Sequence, residues 1–72
     1  MPMIDIEATG KNIRGMMTER DMTVRDVQQI FGFSSGQAVY KWVWGKSLPT
    51  IDNLVVLANV FKVKIDDILV II

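Results

Sequence analysis

The stretch from Thr23 to Thr50, TVRDVQQIFGFSSGQAVYKWVWGKSLPT, constrains the fold of this chain more than any other. Thr23 is placed to cap a helix, and Asp26, three residues on, can reach back to the Thr23 amide, a capping box with Asp in place of the usual Glu. Val24, Val27, Ile30 and Phe31 supply the apolar stripe of that helix. Gly32 stops it, because glycine takes the left-handed conformation that ends a helix without a Cβ penalty. Phe33 is expected to pack under the turn. A further helix then begins at the serine pair Ser34–Ser35, carrying Ala38, Val39, Trp42 and Val43 inward and leaving Gln37, Tyr40, Lys41 and Trp44 to point elsewhere. Gly45 ends it.

The flanking segments complete a small all-α bundle. A first helix is expected from about Ala8 to Arg20, burying Ile13, Met16 and Met17 together with Ala8 or Thr9. Gly10 and Gly15 should weaken it, each by ~1 kcal/mol relative to alanine. After Leu48 and Pro49, Thr50 caps a fourth helix in which Ile51, Leu54, Val55, Ala58 and Phe61 recur at i, i+3, i+4, i+7 spacing. A short fifth helix follows at about Ile65 to Leu69, with Asp66 and Asp67 at its start. Ile4, Asp5 and Ile6 alternate apolar and polar, and Leu69 to Ile72 is apolar and mostly β-branched. A minor strand-like pairing of the two termini, within one chain or between two, is therefore expected. The five methionines are most simply core filler. No repeat or linker divides the chain, so residues 1–72 read as one domain.

Composition narrows the function. A domain of 72 residues buries only ~60% of the surface its unfolded chain exposes, so it has little stability to spare. There is no cysteine and no histidine, which removes the disulfide, the thiolate metal site and the commonest zinc ligand and general base. With no glycine-rich phosphate loop either, an enzyme, a metal site and a bound cofactor are not expected. The apolar runs Leu54–Ala58 and Ile68–Ile72 fall far short of the ~20 residues of a membrane span. The N-terminus carries acids before any base, unlike a signal peptide. A soluble cytoplasmic protein is expected.

The formal net charge is zero, and phosphate-binding proteins are normally basic. Distribution offsets this. Lys11, Arg14, Arg20, Arg25, Lys41 and Lys46 lie in the middle segment against Glu19, Asp21 and Asp26, with the other acids toward the ends. From Gly32 to Leu48 there is no acid at all, so one face can be basic while the whole is neutral.

Laid out in this order, the chain resembles the lambda-repressor-like, or Cro and xenobiotic-response-element type, family of helix-turn-helix DNA-binding domains. The resemblance is carried by Thr23, Gly32, VYKW at Val39–Trp42, GKSLPTIDNL at Gly45–Leu54 and LANVFKVKIDDIL at Leu57–Leu69. It implies a compact five-helix bundle whose third helix enters the major groove of double-stranded DNA. Three positions depart from the family pattern. Gln28 stands where alanine is common at the crossing of the second and third helices, so the crossing is either wider or holds an amide hydrogen bond. The turn between Gly32 and Val39 is one residue longer than in the shortest members. Val43 follows Trp42 where many members have a Glu paired to an Arg of the first helix, and Met17 takes the other position. Packed hydrophobes often replace a buried ion pair at no loss of stability, so Met17 and Val43 are expected to touch.

On the DNA-facing surface this implies, Gln37 can pair with adenine through N6 and N7. Alternatively, Ser34 and Gln37 form an S-x-x-Q capping box that ties the glutamine to its own backbone; if Ser35 is the cap, Gln37 is free. Lys41, one turn on, can reach a guanine or a phosphate, or simply be solvated. Tyr40 either reads a thymine methyl, bonds a phosphate, or packs half-buried on the first helix. Ser35 and Gly36 allow close backbone approach, though an ordinary cap and turn needs the same residues. Thr23 and Arg25 stand where a helix start favours phosphate, and Lys46 and Ser47 are placed to reach the other strand's backbone. Trp44 lies against sugar and phosphate, or packs on the fourth helix or on a partner subunit.

Two function classes follow. One is a sequence-specific transcriptional regulator, a repressor rather than an activator, acting as a homodimer on half-sites ~34 Å apart. The other is a protein-interaction module of the same fold, an antitoxin-like or assembly partner that does not read DNA, which the zero net charge, Trp44 and the apolar ends favour.

Overall fold

The computed structural model describes residues 2–72 and consists of five helices: α1 (Ile6–Glu19), α2 (Val24–Phe31), α3 (Gln37–Val43), α4 (Ile51–Phe61) and α5 (Ile65–Ile68). The core lies among all five, formed by Ile13 and Met17 of α1, Val27 of α2, Val39, Trp42 and Val43 of α3, Leu54, Leu57, Ala58 and Phe61 of α4, and Ile68 of α5. Met17 and Val43 are both buried in this one apolar cluster.

Helix α1 begins two residues earlier than the apolar spacing predicts. Asp5 is its N-cap and accepts from the Ala8 amide at 3.0 Å, so Ile6 belongs to the helix and not to an alternating strand. The terminal pairing is correspondingly short. Ile4 and Ile71 form an antiparallel bridge within the one chain, flanked by bonds from the Asp5 amide to the Val70 carbonyl (2.8 Å) and from the Ile72 amide to the Met3 carbonyl (2.7 Å). Thr9, fully buried, accepts from the Val70 amide at 3.0 Å, which ties the returning C-terminal segment to α1. Asn12 adds a second tie by donating to the carbonyls of Asp67 (2.7 Å) and Ile68 (2.9 Å) at the end of α5, where carbonyls lack intrahelical partners.

Gly10 proves to be a packing requirement rather than a weak point of α1. A Cβ there would run into the Trp42 carbonyl oxygen and stand 3.0 Å from the Gly45 nitrogen and 3.1 Å from the Val43 oxygen. The end of α3 therefore lies directly on the backbone of α1. Gly15 has no neighbour within 4 Å of its virtual Cβ, so only Gly15 remains a plain propensity cost. Gly45 serves both needs at once: its φ of 69° is left-handed, and a Cβ on it would sit 2.8 Å from the Glu7 Cα.

Two expected apolar stripes are shifted. In α4, Leu54, Leu57, Ala58 and Phe61 face the core, whereas Ile51 and Val55 are 77% and 54% exposed. Both sets satisfy the same spacing, because eight of the eleven residues of α4 are apolar. In α2, Val27 is buried and Val24 and Phe31 pack at its edge, but Ile30 is exposed. Arg20 is also withdrawn from the basic surface. Its guanidinium donates to the carbonyls of Phe61 (3.1 Å) and Met16 (3.0 Å) and lies 5.3 Å from the Phe61 ring centroid, joining the ends of α1 and α4.

Candidate nucleic-acid interface

Helix α2 starts and stops by local chemistry. The Thr23 hydroxyl accepts from the Asp26 amide at 3.1 Å while the Thr23 amide donates to the Asp26 carboxylate at 2.9 Å, completing the capping box. Gly32, at φ 71°, closes the helix in the left-handed conformation. Beyond it the Gln28 amide donates to the Phe33 carbonyl at 3.3 Å, so the departure from alanine at the crossing supplies a hydrogen bond that braces the turn. Under that turn Phe33 stacks on Phe31 with centroids 5.1 Å apart, and both meet the edge of Trp42, at 6.0 and 5.4 Å respectively. This three-ring cluster sets the position of α3 against α2.

Helix α3 starts later than the serine pair. Its N-cap is Gly36, with no side-chain cap, and the Ser35 hydroxyl accepts a long bond, 3.4 Å, from the Gln37 amide. Neither serine forms a capping box with Gln37, and the glutamine side chain is exposed. Gln37 is thus the first helical residue and is exposed. Tyr40, Lys41 and Trp44 share the exposed side of the helix, opposite the buried Val39, Trp42 and Val43. The two aromatic rings contact each other, centroids 4.9 Å apart and tilted by 34°. Tyr40, 42% exposed, packs on Trp44, and Trp44, 62% exposed, is not buried on α4.

A groove of about 450 Å³, lined by polar and apolar side chains alike, opens beside α3. Its floor is Phe33, Ala38, Trp42 and Leu48, and its rim is Ser34, Ser35, Gln37, Lys41, Ser47, Thr50 and Asn53. The loop after α3 folds back to form one wall, since the amides of Lys46 and Ser47 both donate to the Lys41 carbonyl, at 2.9 and 3.3 Å. Of the groove residues, Asn53 was not singled out by sequence, and Ser34 entered only as a possible helix cap. Thr50 was visible only as a helix cap, which it is, accepting from the Asn53 amide at 3.3 Å. Its position three residues after Ser47, with Leu48 and Pro49 between, was the available signal.

The electrostatics suit an anion. Among the described residues, Arg25, Lys41 and Lys46 are exposed and enter no ion pair; the salt bridge present joins Arg20 to Glu19. At the start of α2 the Asp26 carboxylate already occupies the Thr23 amide. Any phosphate docking there meets the Val24 and Arg25 amides, which precede the first intrahelical bond, and the Arg25 side chain. The Thr23 amide also holds the Asp26 carboxyl below its ordinary value of 3.8, with the Thr23 hydroxyl contributing and slight desolvation opposing. No helix of the described residues is long and apolar enough to cross a membrane.

Comparison with known proteins agrees with this geometry. The solved DNA-binding domain of BldD shares the fold: it superposes with a TM-score of 0.76 over 92% of this chain and 94% of that one, at 18% sequence identity. No curated protein matches in sequence. The sequence model of the Cro/C1-type HTH DNA-binding domain matches residues 12–72, from the middle of α1 through the last residue. With the five helices in the corresponding order and Gly32 at the turn between the second and third, the chain belongs to the Cro/C1-type helix-turn-helix DNA-binding domains.

Proposed function

We propose that this chain is a sequence-specific double-stranded DNA-binding regulator that acts as a homodimer, with α3 in the major groove, and represses by occupying its site. The observation that carries the reading is the outer face of α3, where Gln37 and Lys41 stand one turn apart, exposed, in a stretch free of acids from Gly32 to Leu48. Gln37 reads an adenine through paired hydrogen bonds, and Lys41 reaches a guanine or a phosphate beside it. Thr23 and Arg25 on one side, and Lys46 and Ser47 on the other, hold the flanking phosphates, with Ser35 and Gly36 permitting close approach of the backbone. Thr50 and Asn53 line the same groove as Lys41 and Ser47 and extend the phosphate contacts.

Two copies, each 36 × 23 × 21 Å, would occupy half-sites one helical turn, ~34 Å, apart. Ile51, Val55 and Val56 leave an exposed apolar stretch on α4, which supports association of the chain with a protein surface. The same stretch favours the second reading, an interaction module that binds another protein and no DNA.

The test is selection of bound duplexes from random DNA followed by a salt titration of the selected site. Affinity should fall steeply with salt. Gln37→Ala should cost ~1–3 kcal/mol and relax preference at one base pair, and Lys41→Ala should reduce either the salt slope or a second preference. Specific binding that survives the double substitution, or the absence of salt-sensitive binding to any duplex, overturns the reading.

A further inference from the structure

We infer that the exposed aromatic pair Tyr40–Trp44 reads the C5 methyl groups of thymine, giving the interface a selectivity that its hydrogen-bonding side chains do not supply. The inference rests on the DNA-binding reading above and extends it to the chemistry of the bases recognised.

Side chains on a helix lean toward its N-terminus, so residues four apart form ridges in which each side chain lies over the one before. The outer face of α3 carries two such ridges. One is polar, Gln37 followed by Lys41. The other runs from Gly36 through Tyr40 to Trp44, and here the leaning is visible. The Tyr40 ring reaches back to within 3.3 Å of where a Gly36 Cβ would stand, and Trp44 rests on Tyr40 with centroids 4.9 Å apart. Val24 of α2 closes in on the same point, 3.1 Å from the virtual Cβ. Bare backbone at Gly36 is thus what lets the tyrosine ring lie along the start of the helix, the end of a recognition helix that meets base edges.

The rings are not spare core residues. Trp42, Phe31 and Phe33 already fill the space under the turn, and Tyr40 and Trp44 remain 42% and 62% exposed. Two large rings held together at the surface mark a contact surface. Their neighbours decide which partner. The adjacent ridge carries an amide and an ammonium, Arg25 stands exposed nearby in the chain, and no acid occurs from Gly32 to Leu48, a setting that suits a polyanion. In the major groove the apolar feature a ring can cover is the thymine methyl, which distinguishes A·T from G·C without a hydrogen bond.

Replacing thymine by deoxyuridine removes the methyl and leaves every hydrogen-bonding group in place. We would select a binding site, substitute its thymines one at a time, and measure affinity for the wild-type chain, for Tyr40→Ala with Trp44→Ala, and for Tyr40→Phe. The wild type should lose about fourfold in affinity at each contacted methyl. The double variant should bind thymine and uracil duplexes equally while keeping its Gln37-dependent preference, and should stay folded because neither ring belongs to the core. Tyr40→Phe should retain the methyl sensitivity, which separates ring contact from a phosphate bond through the hydroxyl. A wild type that binds its site and ignores uracil at every position overturns the methyl reading and leaves DNA binding standing. A double variant as sensitive to uracil as the wild type does the same. No salt-sensitive binding to any duplex overturns both.

Discussion

Helices α2 and α3 adjoin in the chain and pack together, yet they are specified in different ways. Helix α2 carries its own boundary chemistry, a reciprocal Thr23–Asp26 capping box at one end and left-handed Gly32 at the other. Helix α3 has no side-chain cap, spans only Gln37–Val43, and begins at a glycine whose φ and ψ are −85° and 3°. An isolated helix of that length is unstable in water. Tertiary packing holds it: Trp42 against Phe31 and Phe33 on one side, and the backbone of Gly10 on the other. The difference has a functional side. Because α3 uses no polar side chain to cap itself, Gln37 stays available for an external partner, whereas the polar groups at the start of α2 are partly consumed by each other.

The sharpest way to break this contrast is to remove what holds α3 from outside. Trp42→Ala deletes a ring that is 4% exposed and touches both phenylalanines, and should cost ~3–5 kcal/mol, enough to unfold most of so small a domain. Chemical denaturation followed by far-UV circular dichroism reads this directly. Gly10→Ala should follow at roughly 2–3 kcal/mol despite alanine's better helix propensity, since the new Cβ meets backbone at the end of α3 that cannot rotate away. If Gly10→Ala proves neutral, the backbone of α1 does not set where α3 sits.

Helix α2 should respond differently. Thr23→Ala removes one cap partner and should cost about 1 kcal/mol, with the amides of α3 keeping their hydrogen-exchange protection relative to global unfolding. Selective loss of protection in α3 would show that the two helices share one boundary signal after all. Gly15→Ala is the control within α1: nothing lies within 4 Å of its virtual Cβ, so it should stabilise the chain by up to ~1 kcal/mol. Opposite signs at Gly10 and Gly15 in the same denaturation series would separate packing from propensity.

The same division explains what could be read from sequence. Features governed by neighbours in the chain were legible: Thr23 with Asp26, Gly32, Gly45, Thr50, and the inward set Ile13, Met17, Val27, Val39, Trp42 and Val43. Features set by a distant partner were not. The buried side of α4 depends on where α1 and α5 lie, because the sets beginning at Ile51 and at Leu54 obey one spacing. Gly10 looked like a defect until Trp42 was placed against it. Arg20 counted as surface charge until its bonds to Phe61 and Met16 were seen. The start of α3 at Gln37 belongs to the same class, since no cap in the sequence marks it. The terminal pairing was legible because both ends carry a β-forming pattern, although Asp5 shortens it by opening α1.

The smallest expected effect tests whether the α2 cap works as an electrostatic unit. In the folded chain the Thr23 amide, and after it the Thr23 hydroxyl, stabilise the ionised Asp26 carboxyl and hold its pKa below the ordinary 3.8. A carboxyl whose pKa is lower folded than unfolded favours the native state above the unfolded value, and loses that contribution as pH falls through the folded value. The effect sets in as pH falls toward the ordinary value of 3.8, is complete below the folded value, and vanishes at neutral pH as a source of pH dependence. Asp26→Asn keeps an oxygen to accept from Thr23 but has no proton to gain. Thermal melts of the two proteins should therefore run parallel above pH 5 or so and converge below it, the wild type falling slightly faster in acid. Because Asp26 is exposed to solvent, screening keeps the convergence small. Parallel curves through the acid range would mean that the cap is held by hydrogen-bond geometry alone and that the negative charge at the start of α2 adds nothing to its stability.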